Sequence, residues 1–285
     1  TPKPSSAASD VYKRQEKERL AKLKHEVREK LPAQLSEEEL EAHFQHLTPR
    51  YFRAHSLQHI HIDLKQVNQF LKRVVDDTGT TTLEPVISWY DQSARGYSSV
   101  KVCTWDRPGL FTTISGALAA AGLNILSARV FSRGDGIIID TFSVVNTRTG
   151  GLAKRPERDA FKKWLNHALL PGDSPDFEQQ ITALTKPRNV AEWELPTRIR
   201  IDTESAESRT IIEVESEDRL GLLHRISKVL TRHRLSIHVA RISTEKGAAI
   251  DTFYVRTAAG KKPTDNALLQ QVQADLEAEL GESGQ

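Results

Sequence analysis

One five-residue pattern, Asp-Arg-x-Gly-Leu, occurs twice in the 285-residue sequence, at Asp106–Leu110 and again at Asp218–Leu222. Between a strand and a helix, such a turn would expose the unpaired amides of the first helical turn, which suit a carboxylate. The aspartate that opens the pattern could pair with an ammonium group. The turn therefore has the chemistry to recognise both charges of a free amino acid.

An amide side chain follows the first turn at Asn124, on the next predicted strand. It could donate to a ligand carboxylate and accept from a ligand ammonium, and Gly109 would let the ligand approach where a Cβ atom would block it. The second copy has Ser236 in place of Asn124, with His238 as a further polar candidate. We therefore expect two asymmetric sites. The alternative is structural, because aspartate before a helix is an ordinary cap and Pro-Gly an ordinary turn.

Both turns lie within a longer internal repeat whose copies are 112 residues apart. Over the 32 positions from Val102 to Arg133, 12 residues are identical in the second copy. After a one-residue slip, the run Ile-Asp-Thr-Phe at 139–142 recurs at 250–253. Two copies of one supersecondary unit explain this pattern.

Each copy has the hydrophobic pattern of a strand, a helix, two strands and a second helix. Leu110, Ile114 and Leu118 have the spacing of one buried helical face, and Gly122 is expected to end that helix as a left-handed cap. A further strand is predicted at 196–201, where apolar and basic residues alternate. The predicted fold class is α+β, with two tandem ferredoxin-like βαββαβ domains preceded by a helical segment.

The N-terminal part has a different pattern. Residues 1–15 are rich in Pro, Ser and Ala and are expected to form a disordered leader or a sequence scar, and residues 16–80 a helical segment. Within that segment, Ser36 and Glu39 have the spacing of a capping box.

Composition excludes several classes of protein. A single cysteine, Cys103, cannot form an internal disulfide, which favours a reducing compartment. No apolar run approaches the length of a membrane span, and a net charge of +2 argues against a nucleic-acid surface. The sequence contains no methionine, so we expect a fragment or a processed chain.

Some other groups of polar residues have less specific patterns. His55, His59, His61 and Asp63 could suggest a metal, but the helical period turns His59 and His61 about 200° apart, so a solvated helix face is favoured. Cys103 is expected to be a small core residue. Arg and Asp recur in both copies on adjacent strands, and a cross-strand ion pair is favoured over ligand contacts. These pairs are Arg129 with Asp140 and Arg241 with Asp251.

The first copy resembles the ACT domain, a small amino-acid-sensing module. The resemblance rests on the motif Asp-Arg-Pro-Gly-Leu-Phe, followed by a helix, then Gly-Leu-Asn-Ile, and then a strand that ends in Asp-Thr-Phe. Two of them in tandem, after helices that contain Arg50-Tyr51-Phe52, resemble the C-terminal region of the bifunctional uridylyltransferase/uridylyl-removing enzymes that act on the nitrogen regulator PII. The first domain would span 84–195 with its linker, and the second 196–285. The resemblance implies effector-binding residues in both copies. They are Asp106, Arg107, Gly109, Leu110, Asn124, Ile125, Asp218, Arg219, Gly221, Leu222, Ser236 and His238.

The catalytic motifs of that family are missing from this sequence. It contains no Asp-x-Asp, which the nucleotidyl-transfer domain uses to hold metal ions, and no adjacent His-Asp pair, which the hydrolytic domain uses. We therefore expect no catalytic or metal-binding residue here and no cofactor, with Mg²⁺ belonging to missing catalytic domains, and a chain that is inactive alone.

The resemblance also implies partners and a location. The effector would be an amino acid, glutamine in particular, and the other partners the upstream catalytic domains, PII and a second copy through the ACT sheets. Neither nucleic acid nor membrane is expected, and the location would be cytoplasmic. The alternative function is a dimerisation or interaction module that binds no ligand.

Overall fold

The computed structural model describes residues 6–76, 84–170, 175–185, 196–245 and 248–281. They form two compact units. One contains the N-terminal helices together with residues 131–139, and the other contains the remaining residues from position 84 onward. The helices of the first unit are α1 (Ser6–Glu29), α2 (Glu37–His46), α3 (Pro49–Ala54) and α4 (Leu57–Asp76).

The capping box predicted before α2 is confirmed. The Glu39 amide donates to Ser36 Oγ at 3.2 Å, and the Ser36 amide donates back to Glu39 Oε2 at 2.6 Å. These bonds satisfy two donors that the helix itself leaves unpaired. Helix α3 was not predicted as a separate element; Pro49 occupies its first turn, where a missing amide hydrogen costs nothing.

Helix α1 begins at Ser6, so the expected leader without regular structure is wrong for residues 6–15; residues 1–5 lie outside the described part. The segment after Pro4 contains no proline and is rich in Ala, Lys, Arg, Gln and Glu, which have high helix propensity. An ion pair between Arg14 and Glu18, one helical turn apart, adds to this preference.

The connection at 131–139 packs with the N-terminal helices. The Gly134 amide donates to the His46 carbonyl at 2.9 Å, and the rings of Phe131 and Tyr51 meet edge to face at 5.3 Å. Gly136, with φ +83°, supplies a left-handed residue to the turn in this connection.

Polar groups are buried among these helices. The Tyr51 hydroxyl donates to Asp63 Oδ2 at 2.7 Å and lies 3.1 Å from His43 Nε2, while His55 Nδ1 lies 2.8 Å from the Tyr51 carbonyl. His55 and Asp63 are buried, so the prediction of a solvated helix face is wrong for both. Among the described residues, no group of three or more His, Cys, Asp or Glu is placed to hold a metal ion.

The first repeat copy forms a four-stranded sheet in the order β1-β2-β4-β3. The pairs β1–β2 and β3–β4 are antiparallel. Cys103 lies fully buried on β2, as predicted for a core residue. The strands and helices are β1 (Val86–Gln92), β2 (Tyr97–Trp105), α5 (Leu110–Ala120), β3 (Leu123–Arg129), β4 (Ile137–Asn146) and α6 (Arg155–Leu169), followed by α7 (Phe177–Leu184).

The second copy repeats this sheet in the order β5-β6-β9-β7, with a short strand, β8, paired to β9. The strand predicted at 196–201 is confirmed as β5, which pairs antiparallel with β6. The strands and helices are β5 (Arg198–Asp202), β6 (Thr210–Glu217), α8 (Leu222–Arg232), β7 (Leu235–Arg241), β8 (Thr244–Glu245), β9 (Ala248–Thr257) and α9 (Asn266–Gly281).

The α+β class and the tandem ferredoxin-like arrangement are therefore confirmed. The order of elements along the chain differs from the predicted βαββαβ, because β1 and β5 come before the rest of their copies and each copy reads ββαββα. In the sheet, β1 and β5 occupy the place that the last strand of a βαββαβ fold would take. An antiparallel edge strand can be added from either end of the chain, so the sheet itself is the same. Among the described helices, none has the length and apolar content that crossing a lipid bilayer requires.

Equivalent residues of the two copies meet where α5 packs against α8. Ser115 Oγ lies 3.4 Å from Ser227 Oγ, its counterpart 112 residues later, and His224 Nδ1 lies 2.9 Å from the carbonyl of its own counterpart, Thr112. Gly116 permits this approach, because a Cβ atom there would lie 2.7 Å from His224 Nδ1 on α8. Strand β3 of one copy lies beside β7 of the other.

Candidate functional site

The two Asp-Arg-x-Gly-Leu turns have the same backbone. Gly109 (φ +75°) precedes α5 and Gly221 (φ +84°) precedes α8, and the leucine after each glycine is buried. Each helix therefore begins directly at the turn and leaves amides of its first turn without partners inside the helix. The expected strand-to-helix turn is confirmed in both copies.

The glycines are required by the turn itself. A positive φ favours glycine, and the space where a Cβ atom would point is already filled, by Thr231 Cγ2 at 3.2 Å for Gly109 and by Ile181 Cγ2 at 3.0 Å for Gly221. The expectation that Gly109 leaves room for a ligand is therefore wrong. Protein atoms occupy that direction.

The two motif arginines bind helix ends. Arg107 Nη1 donates to the Leu169 carbonyl at 3.1 Å, and Arg219 Nη2 donates to the Leu280 carbonyl at 2.8 Å. Each guanidinium thus caps the C-terminal end of the second helix of its own copy, where cations are favoured. This shared contact gives Arg107 and Arg219 a structural role that their prediction as effector contacts had not included.

Asn124 meets the turn of the other copy. Its Nδ2 donates to Asp218 Oδ2 at 2.8 Å, whereas the sequence predicts that Asn124 acts together with the turn at Asp106. The tertiary packing explains this crossed arrangement, because β3 lies beside β7 and α5 beside α8, so each turn faces a strand of the opposite copy. A site built on either turn is therefore shared between the copies.

A cavity of about 10 Å³ lies at this hydrogen bond. That volume is the size of one water molecule. Its lining combines the first turn of α8 with Asn124 and Ile125 from the first copy and with polar side chains from the second. The residues that carry polar or main-chain groups into it include Asn124, Asp218, Gly221, Leu223, His224, Thr244 and Asp251.

An open groove of about 580 Å³ lies next to the same hydrogen bond. Asn124 and Asp218 line the groove as well as the cavity, and the groove is further bounded by Arg148, Glu157 and Arg219. The two side chains of the Asn124–Asp218 bond therefore border both a ligand-sized groove and a small cavity.

Asp251 is the most unusual group in the cavity. It is 1% exposed, and among the described residues neither of its carboxylate oxygens has a partner in hydrogen-bonding geometry. The nearby Ser243 amide favours the ionised form and opposes the rise in its pKa. Burial and the nearby charge of Asp218 raise its pKa to about 7. Burial also raises the pKa of Asp218, although the hydrogen bond from Asn124 acts in the opposite direction. The cavity thus holds two carboxyl groups that resist ionising together.

The cross-strand ion pair favoured for the second copy is wrong. Arg241 lies opposite Thr252 on β9, and its guanidinium stacks over the Tyr254 ring at 5.4 Å. Asp251 lies on the other face of β9, which is buried. The alternation of β-strand side chains separates the two residues.

Asp251 and Thr244 are not among the site residues predicted from the sequence. A signal for Asp251 was present, because Ala249, Phe253 and Val255 alternate around it and all three are buried. An aspartate in phase with such a run is predicted to face the core. For Thr244 no comparable signal exists in the sequence.

The first turn has different surroundings. Asp106 is exposed, and the second copy places His238 near it, together with Arg209 and Arg256. Burial and these two arginines lower the pKa of His238. Ser236 lies on β7 directly opposite Arg256. The predicted second-copy candidate His238 therefore lies near Asp106 of the first turn, in a basic neighbourhood.

Comparison with known families agrees with this architecture. Residues 99–155 match the ACT domain, and residues 205–283 match the N-terminal ACT domain of the ACR family. Both matched ranges fall inside the two domains predicted from the repeat. The fold and the two turns thus define a tandem ACT-domain protein.

More particularly, the chain is homologous to the bifunctional uridylyltransferase/uridylyl-removing enzymes. It is 34% identical to the enzyme of Rhodospirillum rubrum over 72% of this chain and 22% of the relative. It is 33% identical to the enzyme of Azospirillum brasilense over 64% of this chain and 20% of the relative. It is 32% identical to the enzyme of Gluconobacter oxydans over 73% of this chain and 22% of the relative. The chain spans about a fifth of the length of these curated relatives.

Proposed function

We propose that this chain is the regulatory region of a bifunctional uridylyltransferase/uridylyl-removing enzyme and that it binds a free amino acid, glutamine in particular, as its effector. The observation that supports the proposal is the cavity at the second turn, where a helix start, an amide side chain and a carboxyl group come together. These are the donors and acceptors that a zwitterion needs.

The ligand is proposed to approach through the groove and to replace the hydrogen bond between Asn124 and Asp218. Its carboxylate would accept from the first-turn amides of α8, and its ammonium would donate to Asp218. Asn124 would turn its amide to the ligand. The closed cavity is then the unliganded state, and binding separates the two side chains that now close it.

Regulation would follow from the crossed arrangement. Asn124 belongs to the first copy and Asp218 to the second, so a bound ligand would change how the copies pack against each other. Couplings of this kind are typically worth about 1–3 kcal/mol, or about 5–150-fold in an equilibrium. The catalytic domains with their Mg²⁺, the PII protein and a cytoplasmic location belong to the whole enzyme in this proposal, and this chain alone would be catalytically inactive.

Calorimetric titration of the chain with glutamine tests the proposal. Saturable heat at millimolar or lower concentration is expected, and glutamate and alanine serve as comparison ligands. The absence of heat for every amino acid, with a sample whose circular dichroism shows the folded state, would contradict it.

The second candidate is an interaction module that binds no ligand and assembles with a second copy through its ACT sheets. The small volume of the cavity, about 10 Å³, favours this alternative. Light scattering with and without glutamine separates the two candidates, because a pure assembly module would have the same mass in both measurements.

A further inference from the structure

Asp251 lies where the fold gives a carboxylate no evident partner. It faces the buried side of β9 with Ala249 and Phe253, opposite Val214 on β6. Buried polar groups in folded proteins are nearly always hydrogen-bonded. Among the described residues, however, neither oxygen of Asp251 has a partner in hydrogen-bonding geometry, and the Ser243 amide is near enough only to oppose the rise in its pKa. An ionised carboxyl group in such a position destabilises the protein unless something else binds it.

The described side chains that face Asp251 across the cavity include no positively charged group. The titratable groups that line the cavity are Asp218, Asp251 and His224, and burial lowers the pKa of His224, which favours its neutral form. The imidazole is also held in place, with Nδ1 2.9 Å from the Thr112 carbonyl and Nε2 3.7 Å from Glu178 Oε1. The part of the cavity wall that the structure describes therefore presents two carboxyl groups and the hydroxyl of Thr244 and no positive charge.

We propose that Asp251, together with Asp218 and Thr244, forms a subsite for a primary ammonium group. The inference rests on the proposed function for the rest of the ligand, and it assigns the ligand's ammonium to this subsite. An ammonium has three N–H donors, which three oxygen-bearing side chains can accept. The cavity has the volume of one water molecule, which also fits an ammonium head.

The other lining residues argue against a metal ion. Ca²⁺ requires six to eight oxygen ligands and Mg²⁺ a nearly complete octahedron, whereas Leu123, Leu222 and Ile242 occupy much of the cavity wall. A compact organic cation needs fewer oxygens and tolerates apolar neighbours. The arrangement therefore selects amino acids over carboxylic acids that lack the amine.

Binding at this subsite is linked to a proton. Free Asp251 titrates at about 7, and a bound ammonium would lower that pKa because an opposite charge stabilises the carboxylate. Ligand binding therefore releases a proton, and affinity rises with pH. Between about pH 6 and about pH 8 the ionised fraction of a group with this pKa rises about tenfold, which gives the expected change in affinity.

The test compares glutamine with 4-carbamoylbutanoate, which lacks only the α-ammonium, by calorimetry at about pH 6 and about pH 8. We expect glutamine to bind about tenfold more tightly at the higher pH and 4-carbamoylbutanoate to bind at least about a hundredfold more weakly than glutamine. Asp251→Asn should weaken glutamine binding and remove the pH dependence. The matched control is Asp140→Asn, the equivalent residue of the first copy, which does not line the cavity.

Two results would overturn the subsite while leaving amino-acid sensing intact: equal binding of glutamine and 4-carbamoylbutanoate, or an unchanged pH dependence in a folded Asp251→Asn variant.

If no amino acid binds, methylammonium is the probe, with sodium chloride of equal ionic strength as the control. Carboxyl NMR should then show that methylammonium lowers the pKa of Asp251. That result keeps the subsite although the effector proposal has failed, and an unchanged pKa overturns both.

Discussion

Asp106 and Asp218 hold the same position in two turns of the same backbone, yet Asp106 is exposed whereas Asp218 is half-buried against Asn124. The arginine after each aspartate caps a helix in both copies. What differs is the strand that faces each turn: β3 brings an amide to the second turn, and β7 brings His238 toward the first. The shared motif thus forms the same turn and the same helix cap in both copies, and the side chains that face each turn come from the opposite copy.

The charge of the two neighbourhoods differs in the same way. The second turn shares its cavity with Asp251, whereas His238, Arg209 and Arg256 surround the first. A positively charged ligand group is favoured at the second turn and disfavoured at the first. Duplication followed by divergence on the facing strand gives one chain two turns with different electrostatic character.

The largest expected effect is on stability, through Asp251. Its pKa is about 7 in the folded protein, against an ordinary value of 3.8. Between these values the folded state binds more protons than the unfolded state, so stability falls as pH rises from about 4 to about 7 and is constant above that. Asp251→Asn removes this loss and should stabilise the unliganded protein by about 4 kcal/mol at about pH 8, since each pKa unit is worth about 1.4 kcal/mol.

Urea unfolding at about pH 5 and about pH 8 measures the effect, with Asp140→Asn as the control from the first copy. The stabilisation should be several times larger at the higher pH. An Asp251→Asn variant that is less stable than the native protein at about pH 8 would show that the carboxylate has a partner in the folded state.

The next effect concerns ligand binding and compares the two aspartates. Asp218→Ala should weaken glutamine binding by about a hundredfold, which corresponds to about 2.7 kcal/mol of binding free energy. The reason is the loss of a charge-assisted contact to the ligand. Asp106→Ala should change it by less than about twofold, because an exposed charge contributes little. Calorimetry on both variants tests the assignment, and equal losses would mean that both turns bind the effector.

A smaller effect is expected for the residues on the facing strands. Asn124→Ala should weaken glutamine binding by about tenfold, the value of one hydrogen bond to a ligand. Ser236→Ala, the matched change on β7, should leave the affinity unchanged. If Ser236→Ala has the larger effect, the effector lies at the first turn.

The smallest effect concerns the ends of α5 and α8. Gly122 ends the first with φ +74°, and Arg234, its counterpart, adopts φ +55°, which a residue with a Cβ atom rarely does. Arg234→Gly should stabilise the protein by about 1 kcal/mol, and Gly122→Ala should destabilise it by about the same amount. Urea unfolding measures both, and a destabilising Arg234→Gly would mean that the exposed arginine makes a contact worth more than the strain.

The sequence predicted the scaffold well because its signals are local. Helix α2 begins where the box of Ser36 and Glu39 places it, and β5 lies where apolar and basic residues alternate. Arg234 occupies the repeat position equivalent to Gly122, and the structure gives both residues a left-handed backbone. Local predictions failed where local signals compete, as at residues 6–15, whose composition is helical although a leader was expected.

Hydrophobic periodicity, caps and turns depend on neighbours along the chain, so the two-copy fold and the two turns could be predicted from the sequence. Which residues come together beside a turn depends on the tertiary packing. Asn124 and Asp218 are 94 positions apart and meet because α5 packs against α8. The burial of Asp251 beside them, and with it the charge of the cavity, follows from that packing and from no single segment of the sequence.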